Sequence, residues 1–391
     1  MKRFLFFLLS FVLVFSYLSF SCLASDDEEG GGALAQTAGT MEIDARGAIL
    51  IEASTGTVLF EQNADEAFPP ASVTKIMTLL LVMEALDAGR FTMNDPVPVS
   101  ERAASMGGSQ VFLSPGETLT VEDMIKCAVI SSANDAAVAL AEFVSGSEEA
   151  FVSEMNRRAG ELGMKNAHFE NVTGLDDTTT DHRCSARDIA IMSRELISHK
   201  DILKYSSTWM DSIRGGEFTL SNTNRLVRFY QGATGLKTGS TEKAKFCLSA
   251  TAERNRMTLI AVVMGSPSRD IRNEEVKRML DYGFANYGLF SCDATELPSL
   301  KILGGTTDLC RIGYDGFSAV VKRGEEGKIT TEIELPETFR APIGEGDTVG
   351  RAIFRSGDRI IGESPIRALG EVGQITFPVL FKKMLRALVL G

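Results

Sequence analysis

Histidine is scarce in this chain, with three in 391 residues. Cysteine is hardly commoner, with six, and no pair forms C-x-x-C or falls at zinc-ligand spacing from a histidine. A zinc site is therefore not expected, and no motif calls for another metal or a cofactor. Five cysteines lie beyond the first 24 residues: Cys127, Cys184, Cys247, Cys292 and Cys310. Free buried thiols are the default reading. A disulfide between Cys292 and Cys310 stays open if the compartment is oxidising. Positive charge is in deficit, 40 Lys and Arg against 52 Asp and Glu, for a net charge of −12. Such a chain has no electrostatic reason to bind nucleic acid. Internal repeats are also lacking.

What is present begins with an export signal. Lys2 and Arg3 precede an apolar run over residues 4–20, which ends in the mostly small residues 21–24. These are the three parts of a secretory signal peptide, with cleavage expected after Ala24. An uncleaved anchor is the alternative. Residues 25–40, SDDEEGGGALAQTAGT, are acidic, Gly-rich and aperiodic, and read as a flexible leader. With 44% hydrophobic residues, the remainder can bury a large core across two or three domains.

The pattern along the chain divides it further. Apolar-rich runs at 48–52 and 57–60 flank the turn Ala53-Ser54-Thr55-Gly56 and predict a hairpin. Helical periodicity follows at 72–88, 121–144, 148–162 and 186–199. Strand-like runs return at 232–238, 246–252 and 257–264, and a helix at 273–287 closes this part. Strands at both ends of a helical block predict one antiparallel sheet with helices packed on it. Residues 289–375 change texture to short alternating runs split by Gly, Pro and Asp, including 317–321, 328–335, 349–354 and 359–361. They predict an all-β module, a small sandwich. The expected division is 1–24 signal, 25–40 leader, 41–288 first domain, 289–375 β-rich domain and 376–391 tail.

The chemistry is carried by three separated triplets. In Pro69-Pro70-Ala71-Ser72-Val73-Thr74-Lys75, two prolines lead into a helix that is apolar nearly all round, and hence buried. It opens with Ser72 and Lys75, one turn apart on one face. Burial and the positive helix end both disfavour charge on Lys75. A neutral amine there can take the proton of the serine hydroxyl. The bland reading is a capping serine beside a surface lysine, and S-x-x-K alone is weak. A second copy, Ser240-Thr241-Glu242-Lys243, opens no apolar helix. Sixty residues after Ser72 comes Ser132-Ala133-Asn134, at a break in the helical block. Lys237-Thr238-Gly239 follows 105 residues later, at the end of a strand among glycines, where an extended peptide can pair. Either triplet alone would more often be structural. All three in this order are specific.

With these residues in view, the chain resembles the serine D-Ala-D-Ala carboxypeptidases among the low-molecular-mass penicillin-binding proteins. The likeness includes ASVTKIMT, SSANDAAVALAE, FVSEMNRRAGELGMKNAHFENVTGL and GLKTGSTEKAKFC. It extends into the alternating module and tail, which resemble that family's second domain and anchor. The resemblance implies an α+β penicilloyl-serine transferase fold, related to β-lactamases and transpeptidases, with a five-stranded antiparallel sheet. It implies as partners the peptidoglycan stem peptide ending in D-Ala-D-Ala and β-lactam antibiotics. It also implies roles: Ser72 as nucleophile, Lys75 as base, Ser132 as proton relay and Asn134 as substrate positioner. Lys237, Thr238 and Arg272 would meet the terminal carboxylate beside Gly239, with backbone N–H groups of Ser72 and Ser240 as oxyanion hole. One departure is Lys245, where the family usually has glycine; crowding of the strand edge near the site is expected. His182 lies where family members often carry histidine, and reads as a surface residue in a polar loop.

Two rival readings differ in class. A class A β-lactamase shares the triplets but needs a glutamate in an E-x-x-x-N segment. The nearest candidate, Glu170-Asn171, has the wrong spacing, and such an enzyme would end near Tyr287. A catalytically inactive wall-binding protein is the other, although every motif residue is intact. Endopeptidase or transpeptidase activity stays open. The tail after Pro378 sets Lys382, Lys383 and Arg386 on one arc of a helix and Leu380, Phe381, Met384, Leu385 and Leu388 on the other. Twelve residues give roughly 18 Å of helix, too short to span a bilayer core of about 30 Å. The face suits an anionic membrane surface, on the outer face of the cytoplasmic membrane for an exported protein. Docking on the β module is the alternative.

Overall fold

The computed structural model describes residues 41–390. The predicted signal peptide and leader therefore lie outside the described residues.

Strands β1 (Gly47–Glu52) and β2 (Val58–Gln62) form the predicted hairpin. After the helical block come β3 (Ala233–Thr241), β4 (Lys245–Arg254) and β5 (Met257–Ser266). They assemble one five-stranded antiparallel sheet in the order β2-β1-β5-β4-β3. The polar turn between β4 and β5 has two left-handed residues, Asn255 and Arg256, at φ 52° and 64°. That geometry matches the strand twist in a two-residue hairpin.

The central strands bury both faces. Along β1, Ile49 and Ile51 enter one core while Ala48 and Leu50 enter another. Along β5, Ile260, Val262 and Met264 alternate likewise with Leu259, Ala261 and Val263. A strand covered on both faces has no polar side, so its sequence is a continuous apolar run. One core joins the sheet to helices α1 (Lys75–Asp87), α2 (Val121–Ile130), α3 (Asn134–Ser145), α4 (Glu148–Glu161) and α5 (Ala186–Leu196). The other lies beneath α6 (Arg269–Asn286). The helical stretch over 121–144 is two helices, separated at residues 131–133 where the break was expected. Short pieces escaped the sequence reading, notably the hairpin of Met210–Ile213 and Phe218–Ser221.

Beyond α6 the chain is β-structure, as expected. Strands β6 (Tyr287–Cys292), β7 (Thr295–Leu303), β8 (Leu309–Tyr314), β9 (Phe317–Lys322), β10 (Ile329–Glu334), β11 (Thr338–Arg340), β12 (Thr348–Ser356) and β13 (Arg359–Ala368) make two sheets. A β6-β9 pair faces a six-stranded sheet in the order β10-β12-β13-β8-β7-β11. Phe317 stacks on Phe354 at 4.3 Å between ring centroids, and Phe290 packs against both. Cys292 and Cys310 are both free, as are Cys127, Cys184 and Cys247. The tail forms α7 (Phe377–Leu390).

Candidate active site

Pro69 and Pro70 lead into a 3-10 turn, Ala71–Thr74, which continues directly into α1. Ser72 thus precedes the α-helix instead of capping it. In a 3-10 turn residues i and i+3 eclipse, and Lys75 Nζ lies 2.9 Å from Ser72 Oγ. Lys75 is wholly buried. Its Nζ also reaches Asn134 Oδ1 at 2.6 Å and the carbonyl of Thr173 at 3.1 Å. Asn134 is held in that sense by its Nδ2, which donates to the Gly107 carbonyl at 2.7 Å.

Burial is the main cause that drives the Lys75 pKa well down, and the charge of Lys237 adds to it while Asp135 opposes. Lys237, 162 positions along the chain, is thus a second cation acting on Lys75. A neutral amine has two N–H groups and one lone pair. Asn134 Oδ1 and the Thr173 carbonyl can only accept, so they take both N–H groups. The lone pair is left for the Ser72 hydroxyl.

Ser132 occupies the break between α2 and α3 in a left-handed conformation, φ 61°. Ala133 N–H donates to the Cys127 carbonyl and Asn134 N–H to that of Ser109, which fixes the break. Ser132 is 4% exposed and faces the same cleft as Ser72. On β3, at the sheet edge, Lys237 is buried and donates to the Thr238 carbonyl at 2.9 Å. Burial first, then the Arg272 guanidinium, lower its pKa to about 7. The Thr238 hydroxyl donates to Thr223 Oγ1 at 2.7 Å. Arg272, from the first turn of α6, is buried and donates to Asn273 Oδ1 and the Cys247 carbonyl. Gly239 is required sterically. A Cβ there would stand 2.9 Å from the Pro70 carbonyl oxygen and from the amide nitrogens of Ser72 and Val73. Ser72, Ser132, Thr238, Gly239, Ser240 and Arg272 line one cleft of about 630 Å³.

This constellation has counterparts among known proteins. A family model for D-alanyl-D-alanine carboxypeptidases, peptidase family S11, matches residues 34–268. The chain belongs to this family. A second model, for the C-terminal domain of penicillin-binding protein 5, matches residues 314–374. The chain is 44% identical over 345 residues to D-alanyl-D-alanine carboxypeptidase DacF of Bacillus subtilis, covering 85% of this chain and 88% of that one. It is 33% identical to DacA of Escherichia coli, over 87% of this chain and 86% of the relative. The crystal structure of penicillin-binding protein 5 from Haemophilus influenzae superposes with a TM-score of 0.77 at 29% identity, covering 86% of this chain and all of that one. The penicilloyl-serine transferase fold is thereby shown.

Within this family frame, several site residues were not legible in advance. Asn171 Oδ1 accepts from the amides of Thr173 and Gly174, making the turn that offers the Thr173 carbonyl to Lys75. Gly174 has φ 80°, and a Cβ on it would run into the Ala71 carbonyl at 1.8 Å. The signal in the sequence was the stretch Asn171-Val172-Thr173-Gly174 within the family likeness, to which no role was attached. His182 corrects an expectation: it is buried, not a surface residue. Its Nδ1 accepts from Glu170 N–H at 3.0 Å, so Nε2 carries the proton toward Thr74 Oγ1 at 2.8 Å. Burial lowers its pKa to about 4.

Lys245 corrects another. Its side chain is exposed and does not line the cleft. Its backbone has φ 56°, a left-handed conformation that glycine adopts without strain. The departure from glycine thus bears on backbone strain at the β3–β4 turn, with no crowding of the site. In the second S-x-x-K, no hydrogen bond joins Ser240 to Lys243 among the described residues. Lys243 donates instead to the Asp176 carbonyl at 2.7 Å.

Proposed function

We propose that this family member removes the terminal D-alanine from peptidoglycan stem peptides as a serine-type carboxypeptidase, and that β-lactams acylate it at Ser72. The observation that carries the reading is the fully buried Lys75 whose two acceptor-only neighbours leave its lone pair for Ser72 Oγ. Ser72 would attack the penultimate carbonyl carbon as its proton passes to Lys75. Charge on the carbonyl oxygen would be met by the backbone N–H groups of Ser72 and Ser240. Ser132 would relay the proton to the departing amine, whose C–N bond breaks as D-alanine leaves. Water would then hydrolyse the ester. Lys237, Thr238 and Arg272 would hold the terminal carboxylate. Asn134 would hold the base and present its remaining N–H to the substrate. With a β-lactam the same C–N bond breaks, but the amine stays tethered and does not leave.

The proposed division assigns 41–288 to catalysis and 289–375 to the β-rich module, after export directed by 1–24. Residues 376–391 would lie on the outer face of the cytoplasmic membrane. Phe377, Leu380, Phe381, Met384, Leu385 and Leu388 of α7 are exposed, which supports a membrane surface over docking on the module. Among the described residues no helix is long and apolar enough to cross a membrane.

The test is intact mass after incubation with benzylpenicillin, together with D-alanine release from a diacetylated L-Lys-D-Ala-D-Ala peptide. A single penicilloyl adduct mapping to Ser72, absent in Ser72→Ala, is expected. An adduct on Ser240 would sink the assignment. No adduct and no D-alanine would favour the inactive wall-binding protein.

A further inference from the structure

The cleft carries more positive charge than one carboxylate needs. Besides Arg272 it is lined by Arg225 and Arg269, and no acidic side chain lines it, in a chain where acids outnumber bases by 52 to 40. Arg272 is committed to Asn273 and Cys247 and lies with Lys237 in the carboxylate pocket proposed above. Arg225 and Arg269 differ. Both are exposed, and neither side chain makes a hydrogen bond or ion pair among the described residues. Most other arginines around the sheet and helices are engaged, for example Arg158 with Glu84 and Glu195, and Arg214 with Glu117, although Arg46 and Arg228 have only aromatic contacts and Arg256 has no side-chain hydrogen bond or ion pair among the described residues.

Arg269 is also placed against local preference. It is the first residue of α6, where the helix end is positive, and it stands one turn from Arg272. Its charge is felt by Arg272, whose pKa burial and then Arg269 lower to about 10. Asp270 beside it is exposed and pairs with neither arginine. A cation unfavourable for its helix and for its neighbour, left unpaired at a cleft wall, conflicts with the rules that stabilise a fold. Such conflicts mark functional positions. Arg225 enters the same cleft from a separate segment, at the start of the turn Leu226–Phe229.

We infer that Arg225 and Arg269 form a second anion-recognition element of the cleft, selecting peptides that carry a free carboxylate upstream of the terminal one. Guanidinium groups suit this task because their planar fork pairs with a carboxylate through two hydrogen bonds. The inference rests on the carboxypeptidase reading and names its substrate class.

Two peptides test it: N-acetyl-L-Glu-D-Ala-D-Ala and the isosteric N-acetyl-L-Gln-D-Ala-D-Ala. The quantity read is the ratio of their kcat/KM values, which is insensitive to any loss common to both. The wild-type enzyme should favour the glutamate peptide by about fivefold to tenfold at low salt, the worth of one ordinary net hydrogen bond at an exposed site. The preference should shrink as salt rises, because the arginines are exposed. The double variant Arg225→Ala/Arg269→Ala should bring the ratio to about one, and Arg225→Lys/Arg269→Lys should restore part of it. A wild-type ratio near one, or an unchanged ratio in the double alanine variant, overturns the inference while leaving the carboxypeptidase reading intact. Turnover of neither peptide overturns both.

Discussion

At the scale of single residues, two lysines and their protons decide the chemistry. Lys75 works only as a neutral amine, and its burial makes that form accessible. Lys75→Arg keeps a cation but cannot give up the proton, so D-alanine release should fall on the order of 10³-fold, within the range for loss of a general base. Substantial release by that variant would place the base elsewhere. Lys237 has the opposite requirement, since it must be charged to meet a carboxylate, and its pKa of about 7 sets where that charge fades. The sign follows. Loss of the Lys75 proton raises kcat/KM, and loss of the Lys237 proton, centred at about 7, lowers it. A bell-shaped profile is expected for the free enzyme. In Lys237→Arg the falling limb should move to higher pH whatever the height of the curve, and a limb that stays put would separate it from Lys237.

At the scale of elements, the site is the meeting of a tight turn, a helix break and a strand edge. The 3-10 turn Ala71–Thr74 brings Ser72 onto Lys75, the break at Ser131–Ala133 brings in Ser132 and Asn134, and β3 brings Lys237. What lets β3 lie against the turn is Gly239. In Gly239→Ala the added carbon would meet three backbone atoms at 2.9 Å, and backbone cannot swing aside as a side-chain end can. A displacement near 1 Å is enough to lower acylation by about 10²-fold, and overpacking of this kind costs about 1–3 kcal/mol. The measurements are the benzylpenicillin acylation rate and urea unfolding. Gly160→Ala on α4, with nothing within 4 Å, is the control and should leave acylation alone. Equal acylation by both variants would mean that β3 has slack not apparent here.

At the scale of the whole molecule, the question is where the protein resides. Among the described side chains, the helix Phe377–Leu390 holds seven large apolar ones in solvent, with Lys382 also exposed. At about 1.5 Å per residue its length falls short of the roughly 30 Å bilayer core. An exposed apolar face on a basic segment of an acidic protein suits an anionic membrane surface. Flotation with anionic liposomes should carry the full mature chain upward and leave a chain ending at Gln374 behind. Equal behaviour of the two would remove the anchor from the account.

The sequence by itself determined the motif order, the strand-helix-strand layout and the β module, because each is written in local periodicity and spacing. Ser72 and Lys75 were legible as a pair, since three residues in a helical turn fix their approach whatever the rest of the chain does. The central strands were legible because burial on both faces leaves apolar runs. Only the tertiary structure decided which groups stand around Lys75. Lys237 is 162 positions away in sequence, the Thr173 carbonyl is a backbone group, and His182 is buried beneath Thr74 from a loop whose composition reads as solvent-exposed. Charge state depends on burial and on neighbours distant along the chain, and neither leaves a trace in local pattern. The left-handed backbone at Ser132 and Lys245 was equally hidden, because non-glycine residues reach it only when surrounding packing holds them there.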